Sequence, residues 1–432
     1  MDQVDFQDPT APRQLLHRYQ GIWNQRLAVG LSLDKSFKQV DAALVLLKGY
    51  GKSLRHQWTE YRHAPIPATL SRQCQELLAN QDVTVATLRQ IQTDLGEVLA
   101  LATQQVISLS GKAKSQLLVL GIADPGIWVR EFDGRATYFS VVDPESVAAK
   151  TGLTVIDAFP AKDIAFGGRG DPIDALALWL MFADRNPRVS LFSQVVIWVN
   201  ATCRMFFLPA SDGLDDEFPK IDYCELQLGQ DLKKALDSDE VNPILRQAII
   251  RQENVDVARQ DPSSLERWQV DLNDLVCSIR QQLIKWNVPL SQVASDADVS
   301  AATDAIRLEQ TRGSATPVIR VFANAGLQEL ICGALHLSCH DVPDKSQAME
   351  RNDNALRIGP STLHARSLAA TIPAIMSVMC MDQIPSSIPA LTGIEIPRPL
   401  GRITPGTPTN WRQVVISMAD YQPPAMKLRD VL

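Results

Sequence analysis

Long hydrophobic runs are missing from this sequence. Its most apolar stretch, Ala175 to Ala183 (Ala-Leu-Ala-Leu-Trp-Leu-Met-Phe-Ala), falls far below the ~20 residues a membrane span needs. It reads as a buried helix, and no membrane association is expected. Positive charge is scarce as well. Lys and Arg number 42 against 49 Asp and Glu, a net charge of −7, which argues against nucleic-acid binding because phosphate contacts need a basic surface. A small anion held by local backbone dipoles is not excluded. The seven cysteines (Cys74, Cys203, Cys224, Cys277, Cys332, Cys339 and Cys380) are scattered, odd in number and form no CxxC pair. That pattern points to reduced thiols in a cytoplasmic protein, without a disulfide framework or zinc site. Met1 to Arg26 is polar, with Asp2, Asp5 and Asp8 early, and is expected to be no signal peptide. No short repeat is visible.

What is present is ordinary for a globular chain: 45% hydrophobic and 21% charged residues over 432 positions. That length exceeds what one hydrophobic core supports, so two domains are expected. Leu27 to Leu31 and Val40 to Leu47 are apolar runs of strand length around a short polar turn, which predicts a β-hairpin. From about Ala68 to Leu109 the spacing becomes helical, as in Leu88, Ile91, Leu95, Val98, Leu99 and Ala102. Gln116 to Ile122 and Tyr138 to Val142 read as strands. Asp143 to Gly152 has an acidic first turn and a closing glycine, as a short helix would, and Thr154 to Ile156 resumes strand character. The glycine-dense segment Phe166 to Gly170 reads as a strand-to-helix connection ahead of a helix from Pro172. Val195 to Val199 and Arg204 to Leu208 look like paired strands, and Val318 to Phe322 is the last clear one. Asp231 to Val293, Leu327 to Ser338 and His364 to Met381 read as helical, Ser295 to Thr316 as a loose connection. After Ile384 prolines accumulate (Pro385, Pro389, Pro397, Pro399, Pro405, Pro408), favouring extended connections and turns. Strand-hairpin-helix groups thus occur twice, and a duplicated α/β architecture of two lobes with a central cleft is expected.

The most specific stretch runs from Thr154 to Pro172, with Asp163-Ile164-Ala165-Phe166-Gly167-Gly168-Arg169-Gly170 at its centre. It resembles the signature of the anhydro-N-acetylmuramic acid kinase family, Ala-Asp-x-Ala-x-Gly-Gly-Gln-Gly after a strand. Upstream, Asp143-Pro144 and Thr151-Gly152-Leu153-Thr154-Val155 are similar to the family's Gly-Asp-Pro and Thr-Gly-Ile-Thr-Val. Near the end, Ile388 to Gly393 and Pro399 to Pro405 look like its Leu-Pro-Ser-Val-Thr-Gly-Ala and Val-Leu-Gly-x-Ile-x-Pro. The resemblance implies an actin-like ATPase fold of two ribonuclease-H-like lobes. It implies Mg-ATP as cofactor and an amino sugar as substrate, with opening of a 1,6-anhydro ring and phosphorylation at O6, in cell-wall recycling. The implied division is an N-terminal extension at 1–26, lobe I from 27–142 plus 377–432, and lobe II at 143–376. A homodimer stays open.

The phosphate loops depart from that family. Such loops use glycine so that backbone N–H groups can approach the oxygens closely. The family's first loop is Ser-Gly-Thr-Ser-x-Asp-Gly; here Leu33-Asp34-Lys35-Ser36-Phe37-Lys38-Gln39 follows Gly30, and Ser36 alone matches. If Asp34 faced a γ-phosphate, two like charges ~4 Å apart would repel by ~4 kcal/mol at an effective dielectric of about 20. Lys35 and Lys38 restore some positive potential. For the second loop, Phe-Asp-Thr-Gly-Pro-Gly-Asn, the counterpart is Ile221 to Gln227, which puts Asp222 at the catalytic base but lacks the glycines. Trp198 to Arg204 replaces Asn-Ile-Gly-Gly-Ile-Ala-Asn, and the adenosine-side glycine loop becomes Ala323-Asn324-Ala325-Gly326. Pro160 stands where the family has a sugar-contacting arginine, and His364 near an expected carboxylate. On the sugar side the candidates are Asp163, Gly167, Gly168, Arg169, Gly170 and His364, with Arg169 suited to gripping a carboxylate bidentately. The other reading of the Gly-Gly-Arg-Gly turn is purely architectural. His336 and His340 sit four apart with Cys332 and Cys339 nearby, yet Leu335 and Leu337 intervene as core, and no metal site is expected. Trp23, Trp58, Trp128 and Trp179 lack regular spacing and read as core or domain contacts. Three readings follow: a sugar kinase with a rebuilt ATP site, a pseudokinase binding a sugar, nucleotide or protein without turnover, or a scaffold keeping only the fold.

Overall fold

The computed structural model describes residues 25–80, 83–130, 136–183, 193–210, 219–237, 267–288, 318–323, 325–335 and 365–406. These fall into two compact units. The first holds the chain up to Gly170 together with 370–386 and the segment from 396 onward; the second holds 171–369 and 387–395.

In the first unit, the expected hairpin is β1 (Arg26–Leu33) and β2 (Gln39–Lys48), antiparallel with Gly30 opposite Ala43. Strand β3 (Arg55–Pro65) extends it at the edge, and β4 (Leu117–Ala123) lies parallel to β1 on the other side. The short hairpin β5 (Ile127–Arg130) and β6 (Ala136–Phe139) forms a separate two-stranded sheet. Strand β7 (Val155–Asp157) adds to β4, and β12 (Arg402–Thr404) closes the order β12-β7-β4-β1-β2-β3. Strand periodicity sends Leu27, Val29, Leu31 and Leu33 to one face. There they share a core with α1 (Ala68–Asn80) and α2 (Val85–Ser110) through Leu70, Leu77, Ile91, Leu95, Leu99 and Val106. Helices α3 (Pro144–Thr151) and α4 (Phe159–Ala165) flank β7 along the chain.

The opposite face of β1 and β4 carries Gly30 and Gly121 in neighbouring strands. Helix α9 (Ala365–Met381) crosses there at backbone contact. A Cβ on Gly30 would lie 1.9 Å from the Ala370 carbonyl oxygen, and one on Gly121 2.1 Å from that of Pro373. Gly30 therefore belongs to the sheet interior, where its missing side chain admits a helix. Arg26 ties the start of β1 to the end of this helix, donating to the Asp382 carboxylate and, at 2.6 Å, to the Gly49 carbonyl.

In the second unit, α5 (Ala175–Phe182) precedes the hairpin β8 (Gln194–Val199) and β9 (Cys203–Leu208). Strand β10 (Asp222–Leu226) forms the edge, and β11 (Val318–Phe322) lies parallel to β8, giving β10-β9-β8-β11. Helices α6 (Gln230–Asp237), α7 (Arg267–Lys285) and α8 (Ala325–Ala334) build a core with Val195, Ile197, Val199 and Met205 on one face. Helix α10 (Pro389–Thr392) is a single turn.

Both sheets repeat one design, a three-stranded antiparallel meander whose first strand then gains a parallel neighbour: β3-β2-β1-β4 and β10-β9-β8-β11. This is the duplicated ribonuclease-H-like arrangement of the actin-like ATPase fold. The duplication lies in strand order, so no short repeat marks it. The unit boundaries differ from the expected lobes. Residues 143–170 group with the first unit because β7 pairs with β4 and β12. The Gly-Gly-Arg-Gly segment follows helix α4, not a strand, and the next helix starts at Ala175, not Pro172. The proline-rich end contributes a strand, β12. No described helix is long and apolar enough to cross a membrane.

Gly30→Ala and Gly121→Ala should each destabilise the protein by about 3 kcal/mol or prevent folding, because overpacking here meets backbone, which cannot turn aside. Thermal and urea unfolding will read this, with Gly111→Ala, whose added Cβ would meet no neighbour within 4 Å, expected to show only the cost of its left-handed backbone.

Candidate functional site

The loop joining β1 to β2 is closed on itself. Asp34 Oδ1 accepts from the Ser36 amide at 3.0 Å, the Ser36 hydroxyl at 2.6 Å and the Phe37 amide at 3.2 Å. Asp34 thereby makes an Asx-type turn of the kind short carboxylates favour. Phe37 takes a positive φ of 47° and is fully buried in the first unit's core. The Ser36 carbonyl accepts from Ser71 and Gln75 of α1, and the Lys38 carbonyl from the Ile66 amide at 2.9 Å. Gln39 donates to Asp41 at 2.8 Å, and Tyr61 to the same oxygen at 2.7 Å. Lys35 and Lys38 are exposed. The structure thus gathers Asp34 to Gln39 in one turn and sets Gly30 apart, inside β1. The Ser36 and Phe37 amides are held by the Asp34 carboxylate, and the Phe37 amide also faces the Asp34 carbonyl at 3.2 Å.

The second feature is the turn after α4. Asp163 is completely buried, and its Oδ2 accepts from the Gly170 amide at 2.8 Å. Its carbonyl accepts from Phe166 at 3.0 Å and Gly168 at 2.9 Å, while Gly167 donates to Ile164 at 2.9 Å. Gly167 and Gly170 have φ of +88° and +76°, which suits glycine. A Cβ on Gly168 would stand 2.0 Å from Asp163 Oδ2. The aspartate holds the glycine turn through its carbonyl and its Oδ2, with Arg169 left at the surface.

Beside it, Asp124 accepts from the Tyr138 hydroxyl, from Ser140 at 3.3 Å and from the Val141 amide at 2.8 Å. Desolvation pushes its carboxyl up to about 6 against the lowering effect of those donors. Arg402 grips the buried Asp157 with bonds of 3.0 and 2.6 Å, joining β12 to β7. Burial raises Asp157 and Arg402 opposes it. Neither pair stood out in the sequence, where the partners are far apart.

In the second unit, Asp222 opens the edge strand β10, exposed and opposite Phe207. Its strand neighbours Tyr223 and Glu225 point to the other face. On that face Arg204, opposite Glu225, pairs with Asp174 at 3.1 Å and Asp171 at 3.2 Å. Burial pushes Asp171 up to about 6, partly offset by Arg204. Asp222 is thus separated by the sheet from this charged group. Gly326 lies in α8; Asn324, His364, His336, His340 and Cys339 lie outside the described residues. Among the described residues no cluster of His, Cys, Asp and Glu forms a set able to hold a metal ion.

A sequence profile of the family described as anhydro-N-acetylmuramic acid kinase matches residues 26–193. Relatives carrying that name include one from Shewanella halifaxensis, 29% identical over 190 residues, covering 44% of this chain and 48% of the relative. One from Shewanella baltica is 31% identical over 185 residues, 42% of this chain and 47% of its own. One from Caldanaerobacter subterraneus is 26% identical over 179 residues, 39% and 44% respectively. The chain spans about half the length of the relatives it matches. The family likeness read from the Thr154–Pro172 motif is therefore shown within residues 26–193, which include the first loop and the Asp163–Gly170 turn but not Asp222. A reductive activator for corrinoid, iron-sulfur protein aligns over half of this chain at a TM-score of 0.28 and 10% identity, too loosely to carry weight.

Two outcomes follow from these contacts. Gly168→Ala should open the turn by displacing Asp163, costing about 2 kcal/mol, measurable by urea unfolding. The folded Asp124 holds its proton up to about pH 6 against an ordinary 3.8, so the folded state binds more protons in that window and stability falls as pH rises through it. Asp124→Asn should flatten that part of the stability-versus-pH curve.

Proposed function

We propose that this protein is a non-catalytic relative of the anhydro-N-acetylmuramic acid kinases, keeping their fold without transferring phosphate from Mg-ATP. One observation carries the reading: Asp34 holds the amides of Ser36 and Phe37. Phosphoryl transfer depends on positioning and on donors aimed at developing negative charge. A loop whose donors face its own carboxylate offers none, and that carboxylate repels an incoming phosphate. Lys35 and Lys38 offset the charge but do not free the amides. Asp222 as general base would lack the glycine loop that accompanies it in the family, and Ala323 to Gly326 carries side chains where adenosine needs space. An amino sugar remains the ligand the family resemblance suggests.

Calorimetric titration with Mg-ATP, followed by addition of 1,6-anhydro-N-acetylmuramic acid and measurement of ADP release, tests this. No binding in the micromolar range and no ADP above the blank are expected. Micromolar ATP binding with turnover would refute the reading, and loss of that turnover in Asp222→Asn would then identify the base.

A further inference from the structure

Two buried polar atoms in the second unit have no hydrogen-bond partner among the described residues, and both belong to neighbours of Arg204. Trp198 is 9% exposed and its indole Nε1–H is unpaired; Asp174 is 5% exposed and its Oδ1 is unpaired. Register sets Trp198 of β8 directly opposite Arg204 of β9, with Glu225 of β10 opposite Arg204 on its other side. Residues paired in this way share one face of the sheet. Asp174, just ahead of α5, gives its Oδ2 to Arg204 at 3.1 Å, which leaves Oδ1 over. Asp171 meets the same guanidinium at 3.2 Å. The strand beyond Trp198 supplies no acceptor for the indole, since the residue opposite it there is Phe322.

Burying a donor or an acceptor unpaired costs stability, and folded interiors seldom leave one so. Here one of each is left beside a single side chain. The indole needs a lone pair and the carboxylate needs a hydrogen, and one hydroxyl supplies both. Charge sets a second requirement. Three carboxylates, Asp171, Asp174 and Glu225, surround the one guanidinium, and Tyr223, which donates to Glu225 at 3.1 Å, adds no positive charge. Burial lowers the Arg204 guanidinium, yet Asp174 and Asp171 carry it above its ordinary value. The surplus is negative, which draws a cation. No set of metal ligands exists among the described residues, so an organic ammonium suits the place better than a metal ion. Exposure rises from the buried Asp174 and Trp198 to 28% for the Arg204 side chain and 36% for that of Asp171. A hydroxyl therefore belongs inside and an ammonium at the rim. Trp198 to Arg204 departs from the family's glycine-bearing strand, and the charge preference is opposite to that of a phosphate site.

We propose that Trp198, Asp174, Arg204, Asp171 and Glu225 bind a small amino alcohol, its hydroxyl between the Trp198 indole and Asp174 and its ammonium at Asp171 and Glu225. The site lies wholly in the second unit, and the proposal does not rest on how the Leu33–Gln39 loop treats ATP. Ethanolamine is the probe, with ethylamine lacking the hydroxyl and ethylene glycol lacking the charge. The protein holds eight tryptophans, and the indole resonance missing from Trp198→Phe identifies the one to follow. At neutral pH and low salt, ethanolamine should move that resonance saturably. Ethylamine and ethylene glycol should each bind about tenfold more weakly, the scale of one charged hydrogen bond, and ethylamine should leave the indole unmoved. Asp171→Asn, at a half-exposed position, should weaken ethanolamine about tenfold with thermal unfolding unchanged, and added salt should weaken it too. Should Trp198→Phe fail to fold, sequential assignment of the unaltered protein identifies the resonance, and the comparison of three ligands still decides. An indole unmoved by ethanolamine would mean that the two atoms hold an ordered water only, and would overturn the proposal. Equal affinity for all three ligands, or ethanolamine affinity unchanged in Asp171→Asn, would overturn it as well.

Discussion

The first unit depends on a helix lying directly on a sheet. Where Gly30 and Gly121 stand side by side, the backbone of α9 comes so close that a side chain on either would strike its Ala370 or Pro373 carbonyl oxygen. That contact fixes β1 and β4 against one helix while α1 and α2 cover the other face, so the central strands are buried on both sides. Everything attached to their ends inherits that rigidity: the loop after β1, the Asp124 cluster after β4 and, through β7, the turn after α4. Arg26, reaching Asp382 and Gly49 together, locks the start of β1 to the end of the same helix.

On this frame the two features nearest the family signature use their polar groups internally. Asp34 holds the amides of its own loop, and Asp163 holds the glycine turn. The physical difference between them is what remains outside. Around the first loop a carboxylate occupies the donors and the buried Phe37 anchors the turn, leaving lysines at the rim. Around the second turn the carboxylate is buried and Arg169 is left exposed.

Much of the fold was legible from residue order. Apolar runs at Leu27 to Leu31 and Val40 to Leu47 around a polar turn marked the hairpin, and helical spacing from Leu88 to Ala102 marked α2. Edge strands were harder. Strand β10 begins with Asp222 and has no fully buried residue, while Arg402 and Ile403 of β12 are exposed; neither has the apolar run that marks a central strand. Strand β12 is held by Arg402 on Asp157, a pairing of residues too far apart in sequence to suggest itself. Gly30 carried the same ambiguity in another form, since a glycine before a loop reads as part of the loop until its neighbours are known. Asp34 was visible as a charge in the wrong place, but the sequence did not say which way it pointed. Direction decides its meaning: turned onto Ser36 and Phe37, its Oδ1 holds the amides of its own loop.

That direction can be measured on the loop itself. With assigned amide resonances, the Ser36 and Phe37 protons should exchange slowly with solvent and keep their shifts as Mg-ATP is added to millimolar concentration, because Asp34 already holds them. Saturable shifts of both amides at micromolar Mg-ATP would mean that the loop opens to take phosphate, and would contradict the account.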